Sequence, residues 1–156
     1  MPVVKRTYAV SDLAEILSTL HKLGDKDLIR RRLRYFTSER LLDTVGAVHT
    51  GSGRSRLYSQ SAMLKAVVLL RLFQMGATVG LMKEYMEALE EFISRVFNTK
   101  DLLVACRRLP KPTIFLILPD LRYKIGMAGR LIDWDEAVAS LPENIDYITI
   151  QIYRFL

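Results

Sequence analysis

The sequence predicts a mainly α chain that ends in a small α/β module. Two observations carry this expectation. Between Tyr8 and Asn98, apolar residues recur at helical spacing in four stretches, each preceded by a residue able to cap a helix. After Asn98 the pattern changes to short runs rich in β-branched and aromatic residues, the last of which alternates strictly. Half of the 156 residues are apolar, which is enough for a real core in one ordinary domain or a small domain with a compact appendage.

The elements follow in order. In "YAVSDLAEILSTLHKLG", Ser11 is a suitable N-cap, Leu13, Ile16, Leu17 and Leu20 form an apolar stripe, and Gly24 ends the helix. Asp25 caps a second helix from Lys26 to about Glu39. "VGAVHTGSGRSRLYS" places β-type runs on both sides of a Gly- and Ser-rich tip and reads as a β-hairpin. Ser59 or Ser61 caps a third helix, "AMLKAVVLLRLFQM", which Gly76 ends. This helix is apolar nearly all round and so belongs on the inside of a domain or at an interface. Thr78 caps a longer amphipathic helix, "VGLMKEYMEALEEFISRVFN".

Beyond it, "KDLLVACRRL" reads as a short helix, "KPTIFLILPD" as a buried strand, "RYKIGMAGRLID" as a hairpin and "DWDEAVASL" as a short helix capped by Asp133. In "DYITIQIYRF", Ile148, Ile150 and Ile152 share one face of a strand, and Tyr147, Thr149, Gln151 and Tyr153 the other. This C-terminal module is small for independent stability. Its tyrosine-bearing face suits a subunit contact or a protein partner better than a small ligand, with a half-solvated strand as the plain alternative.

The order helix, helix, hairpin, helix is that of a winged helix-turn-helix. Charge agrees with it. The net charge is +6, and residues 1–60 hold 11 Lys/Arg against 6 Asp/Glu, whereas residues 61–156 hold 12 against 11. The excess therefore sits in the N-terminal part, as a polyanion partner would require. "IRRRLRYFTSERLL" alone carries five arginines and one acid. On a helix at about 100° per residue, Ile29, Leu33 and Phe36 make a core face, with Arg30, Arg31, Arg34, Thr37 and Ser38 read as the opposite side. That face has donors and almost no acceptors. It is either a solvated surface paired with Asp27 and Glu39 or an anion-binding surface, and the second reading fits a helix lying in the DNA major groove. The hairpin adds Arg54, Arg56 and Tyr58, which are phosphate donors if the hairpin lies beside the arginine helix and an ordinary surface turn otherwise.

"LRYFTSERLL" (Leu33 to Leu42) followed by "RLYS" (Arg56 to Ser59) resembles the signature of MerR-type regulators. Their recognition helix reads Leu/Ile-Arg-Tyr-Tyr-Glu-Arg-x-Gly-Leu-Leu and their wing Gly-Tyr-Arg-x-Tyr-Ser. "LLRLFQMGATVGLMKEYM" is similar to the apolar helix, glycine break and next helix of that family, so the resemblance covers about residues 7–90. By that resemblance Arg34 and Tyr35 match the recognition-helix pair, and Arg56 and Tyr58 match the wing. Arg30, Arg31 and Arg54 are nominated from charge and helix face alone. Tyr35 and Tyr58 fit equally well as core tyrosines with one polar end.

There are departures too. "STLHKLGDKD" lengthens the join between the first two helices, Arg40 stands where the family has glycine, and Arg54-Ser55 replaces the wing's Gly-Tyr. The cysteine ligands of the metal-sensing members are missing.

The resemblance implies a winged helix-turn-helix over residues 1–78 and a linking and dimerisation helix over 79–98; the α/β module over 99–156 lies beyond it and is read from the residue pattern alone. It implies a dimer on palindromic double-stranded DNA, acting as a sequence-specific transcriptional regulator. Leu81, Tyr85, Leu89, Phe92 and Val96 recur at spacings of four, four, three and four and could form the dimer stripe, or pack within their own domain. Two other classes stay open: a DNA-architectural or excision-type factor, and a protein-interaction module that uses the basic face.

No enzyme chemistry is expected. His21 and His49 lack metal-ligand spacing, "GSGRS" lacks the Gly-Lys-Ser/Thr ending of a phosphate loop, and the acids near Asp133 suit a helix N-terminus. The lone Cys106 excludes an internal disulfide and fits a reducing compartment. With no apolar run of the roughly 20 residues that a membrane span takes, a cytoplasmic homodimer without metal or cofactor is expected.

Overall fold

The computed structural model describes residues 6–19, 22–46, 55–108, 113–117, 131–132 and 147–151. In chain order these form β1 (Thr7–Ala9), α1 (Val10–Thr19), α2 (Lys26–Ser38), β2 (Leu57–Ser59), α3 (Gln60–Gln74), α4 (Val79–Phe97), α5 (Leu102–Arg107), β3 (Thr113–Ile117), β4 (Leu131–Ile132) and β5 (Tyr147–Gln151). The chain is mainly helical and divides into two compact units, Met1–Met82 and Lys83–Leu156. The division falls inside α4, a few residues beyond the boundary at residue 78 that the sequence suggests.

In the first unit, α1 packs along α2. Leu13, Ala14 and Leu17 of α1 and Ile29, Leu33 and Phe36 of α2 are completely buried. Ser11 does not cap α1 as expected. The helix starts at Val10 because Thr7–Ala9 are held extended in a strand, so Ser11 already lies in the first turn. Asp25 does cap α2, its Oδ1 accepting from the backbone of Asp27 at 2.9 Å and of Leu28 at 3.1 Å. The long join between the helices is anchored at three points. Leu23 is buried and its amide donates to Leu17 O at 3.1 Å. Ser18 Oγ donates to Gly24 O at 2.8 Å, and Gln74 Nε2, at the end of α3, donates to Leu23 O at 2.8 Å.

Helix α2 ends in a Schellman motif. Arg40 N donates to Thr37 O at 3.1 Å and Leu41 N to Phe36 O at 2.8 Å, with Leu41 and Phe36 both buried. The turn needs a left-handed residue, and Arg40 takes it with φ of +60°. Gly76 ends α3 by the same device at φ +83°, with Ala77 N on Leu72 O at 3.0 Å. An L-residue with a side chain is strained there by about 1–2 kcal/mol, and glycine recovers part of that at a cost in unfolded-state freedom. Arg40→Gly is therefore expected to stabilise the chain by about 0.5–1 kcal/mol, read by urea denaturation. A loss of stability would show that the arginine side chain holds the turn.

The expected hairpin is present at its base and gains a partner. Val45 N donates to Leu57 O at 2.8 Å in an antiparallel bridge, while the tip, residues 47–54, lies outside the described residues. On its other side β2 pairs antiparallel with β1, in the register Thr7↔Ser59, Tyr8↔Tyr58 and Ala9↔Leu57. Nothing in the periodicity announced β1, which is only three residues long.

Ser59 caps α3, its hydroxyl accepting from Ala62 N at 3.1 Å, which decides between the two serines. As the all-round apolar pattern requires, Ala62, Met63, Leu64, Ala66, Val67, Val68, Leu69, Leu70 and Leu72 are buried. Thr78 Oγ1 accepts from Leu81 N at 3.2 Å at the start of α4.

In the second unit, Asp101 caps α5 by accepting from Leu103 N at 2.9 Å. Cys106 is wholly buried there, and burial, with the Asp101 carboxylate adding to it, pushes its thiol up to about 12. It is protonated at neutral pH and inert as a nucleophile. The three C-terminal strands form an antiparallel sheet in the order β4-β3-β5. Ile114 stands opposite Ile150 and Leu116 opposite Ile148. Leu131 and Ile132 pair with β3, so the described arm of the expected second hairpin adds to that sheet. The expected helix after Asp133, and Ile152 and Tyr153, lie outside the described residues. Among the described residues, no helix is long and apolar enough to cross a membrane.

Candidate nucleic-acid interface

The arginines of α2 separate into two kinds. Two are used within the fold. Arg30 Nη2 meets Asp27 Oδ1 at 2.9 Å, its side chain is 38% exposed, and its Nε is shut off from solvent. Arg32 lies over the ring of Phe73, 4.7 Å from the centroid, where a cation–π contact fixes it. Arg31 and Arg34 are exposed, and among the described residues neither has an ion pair. Arg40 is exposed just beyond the helix end. Lys26, at the other end, pairs with Glu15 of α1.

This splits the nominated set. Arg31 and Arg34 face solvent as expected. Arg30 lies on the flank of the buried face and is half committed, which corrects its assignment to the far side. Thr37 is a larger correction, being 4% exposed. Four residues advance a helix by about 400°, so Thr37 stands only about 40° from Leu33 and turns inward with it. The outward stripe instead holds Asp27, Leu28, Arg31, Arg34, Tyr35 and Ser38, all exposed.

The two tyrosines also part. Tyr35 is 40% exposed, its ring edge-on to Phe73 at 6.5 Å and tilted against Phe36 at 6.2 Å. It is available to a ligand from one side. Tyr58 is wholly buried and cannot touch DNA, contrary to the wing assignment. Its hydroxyl lies 2.8 Å from Thr37 Oγ1, which itself donates to Leu33 O at 2.8 Å. A threonine hydroxyl has one hydrogen, so Tyr58 is the donor of the pair. This two-link chain ties β2 to α2. Arg56, two residues before Tyr58, is half-buried and engaged within the chain. Arg54 lies outside the described residues.

The residues nominated for dimerisation separate as well. Tyr85 and Leu89 are 4% and 2% exposed within the single chain, alongside Met82, Met86 and Ile93, which the stripe had missed. The burial of Tyr85 pushes its phenol above the ordinary value of 10.0. Leu81 is half-exposed, while the side chains of Phe92 and Val96 lie outside the described set. A subunit contact through Tyr85 and Leu89 would have to open packing already made.

Among the described residues, no group of three or more His, Cys, Asp or Glu side chains is arranged to hold a metal ion. The chain matches no protein-family model, and no curated protein and no solved structure is significantly similar to it.

Proposed function

We propose that the first unit is a winged helix-turn-helix and that the chain is a sequence-specific DNA-binding transcriptional regulator of the cytoplasm, without catalytic activity, working as a dimer on palindromic duplex sites. The observation that carries the reading is the split of the α2 arginines. Arg32 is held on Phe73 and Arg30 is partly engaged by Asp27, whereas Arg31 and Arg34 stand solvent-facing on the side opposite the buried Ile29, Leu33 and Phe36. A helix that needed charge only for solubility would be served by mixed signs. The pairing of β1, β2 and Val45, with β2 tied to α2 through Tyr58 and Thr37, is consistent with the base of a wing, which in that reading makes a second contact with the backbone of the same duplex.

The experiment is selection of a duplex from a random pool by the full chain, followed by titration at several salt concentrations. Affinity is expected to fall with salt, with a logarithmic slope of about 0.9 for each phosphate neutralised. Sedimentation of the complex is expected to show two chains per site. Salt-independent binding, or no enrichment at all, overturns the reading. A monomer on DNA removes the dimer alone.

A further inference from the structure

The basic face of α2 carries one apolar residue for which the fold has no use. Leu28 is 42% exposed, in the first turn of the helix and one turn before Arg31. At about 100° per residue, Leu28 and Arg31 lie about 60° apart on the outward side. Their polar neighbours are already committed: Asp27 to Arg30, Lys26 to Glu15. What the N-terminal half of α2 presents is therefore an uncommitted guanidinium beside an uncommitted isobutyl group.

We infer that Leu28 and Arg31 read sequence together, Leu28 against the methyl group of a thymine and Arg31 on a guanine within one or two base pairs of it. This deepens the DNA-binding reading above and rests on it. In the major groove, only thymine offers an apolar methyl, and guanine offers the O6 and N7 acceptor pair that a guanidinium grips with two hydrogen bonds. The N-terminal part of a recognition helix is the part that reaches base edges. Three residues of helix rise about 4.5 Å, and stacked base pairs are about 3.4 Å apart, so residues one turn apart address neighbouring base pairs. The positive charge of Arg31 and Arg34 beside Leu28 commits the surface to a polyanion and against an apolar protein groove. Arg34, farther along the helix, is left to the phosphates.

The test replaces atoms on both sides of the contact. In the selected duplex, each thymine is exchanged in turn for deoxyuridine, which removes the methyl and nothing else. At one position the exchange is expected to weaken the parent chain about threefold to fivefold, the worth of one buried carbon, and to leave Leu28→Ala unchanged. Exchanging the adjacent guanine for 7-deazaguanine should weaken the parent about tenfold and Arg31→Ala far less. Helical circular dichroism of both variants should match the parent, since both side chains are exposed. If every deoxyuridine duplex binds as the thymine duplex does, or if Leu28→Ala keeps the full penalty, the inference falls while DNA binding stands. If the parent enriches no duplex, or binds a protein through this face, the DNA reading and the inference fall together.

Discussion

Arg31→Ala combined with Arg34→Ala is expected to reduce duplex binding at physiological salt to the non-specific level. Each side chain lost from a base contact costs about 1–3 kcal/mol at particular positions of the site, and each lost from a phosphate lowers the salt slope by about one. Specific complexes of this size class exceed their non-specific affinity by about 4–10 kcal/mol, so two contacts remove most of the margin. The variant should remain folded. Both side chains are exposed, and substitutions at such positions usually move stability by less than about 0.5 kcal/mol. Arg32→Ala is the matched control, since it removes the same charge from a residue already lying on Phe73. Its expected effect is a stability loss of about 0.5–1 kcal/mol and a smaller effect on affinity. Titration of the two variants and the parent chain against one duplex decides the matter. If Arg32→Ala is the most damaging for binding and the double variant is silent, the face of α2 has been assigned the wrong way round.

Tyr58→Ala is expected to cost about 3–5 kcal/mol, the largest effect on stability of any substitution among the described residues of the hairpin. Removing a wholly buried ring leaves a cavity, and the surroundings close it only in part. Against a total stability of about 5–15 kcal/mol for an ordinary domain, that loss leaves the first unit marginal. Tyr58→Phe separates the ring from its hydroxyl. Thr37 keeps its bond to Leu33 O, so the phenylalanine variant should lose only about 0.5–1.5 kcal/mol. Because Tyr58 faces the core, affinity per folded molecule should be unchanged in Tyr58→Phe. A folded Tyr58→Phe chain with lost duplex affinity would restore a direct role for this tyrosine. Chemical denaturation and binding of the same preparations provide both readings.

Much of the fold was legible because its signals are local. Asp25, Ser59 and Thr78 cap their helices through bonds that span two or three residues, so the chain itself announces them. The buried run of α3 was visible for the same reason, since a helix without a polar side has nowhere to go but inward. The three-residue strand β1 was not legible. It exists through pairing with β2, some fifty residues away, and that pairing moved the start of α1 from Ser11 to Val10. Arg40 does not announce a helix-ending turn as a glycine would, and only the bonds from Arg40 N and Leu41 N show that a left-handed turn is made there with arginine in it. Angular arithmetic alone, applied strictly, would have moved Thr37 to the inner side.

By itself, the sequence determined the five described helices, the caps of α2, α3 and α4 and the concentration of positive charge on α2, because caps, periodicity and charge are properties of neighbouring residues. Helix α1, by contrast, starts before its expected cap Ser11 and ends at Thr19 rather than at Gly24. Only the tertiary structure decided which charges are free. Arg30 is tied by Asp27 on its own helix, Arg32 by the ring of Phe73 on α3, and Tyr58 is drawn into the core by Thr37 on α2. Two of these three commitments are made between elements distant in the chain. A cation or a hydroxyl is satisfied by whatever the fold brings within about 3–5 Å of it, and residue type and spacing along one helix do not contain that information.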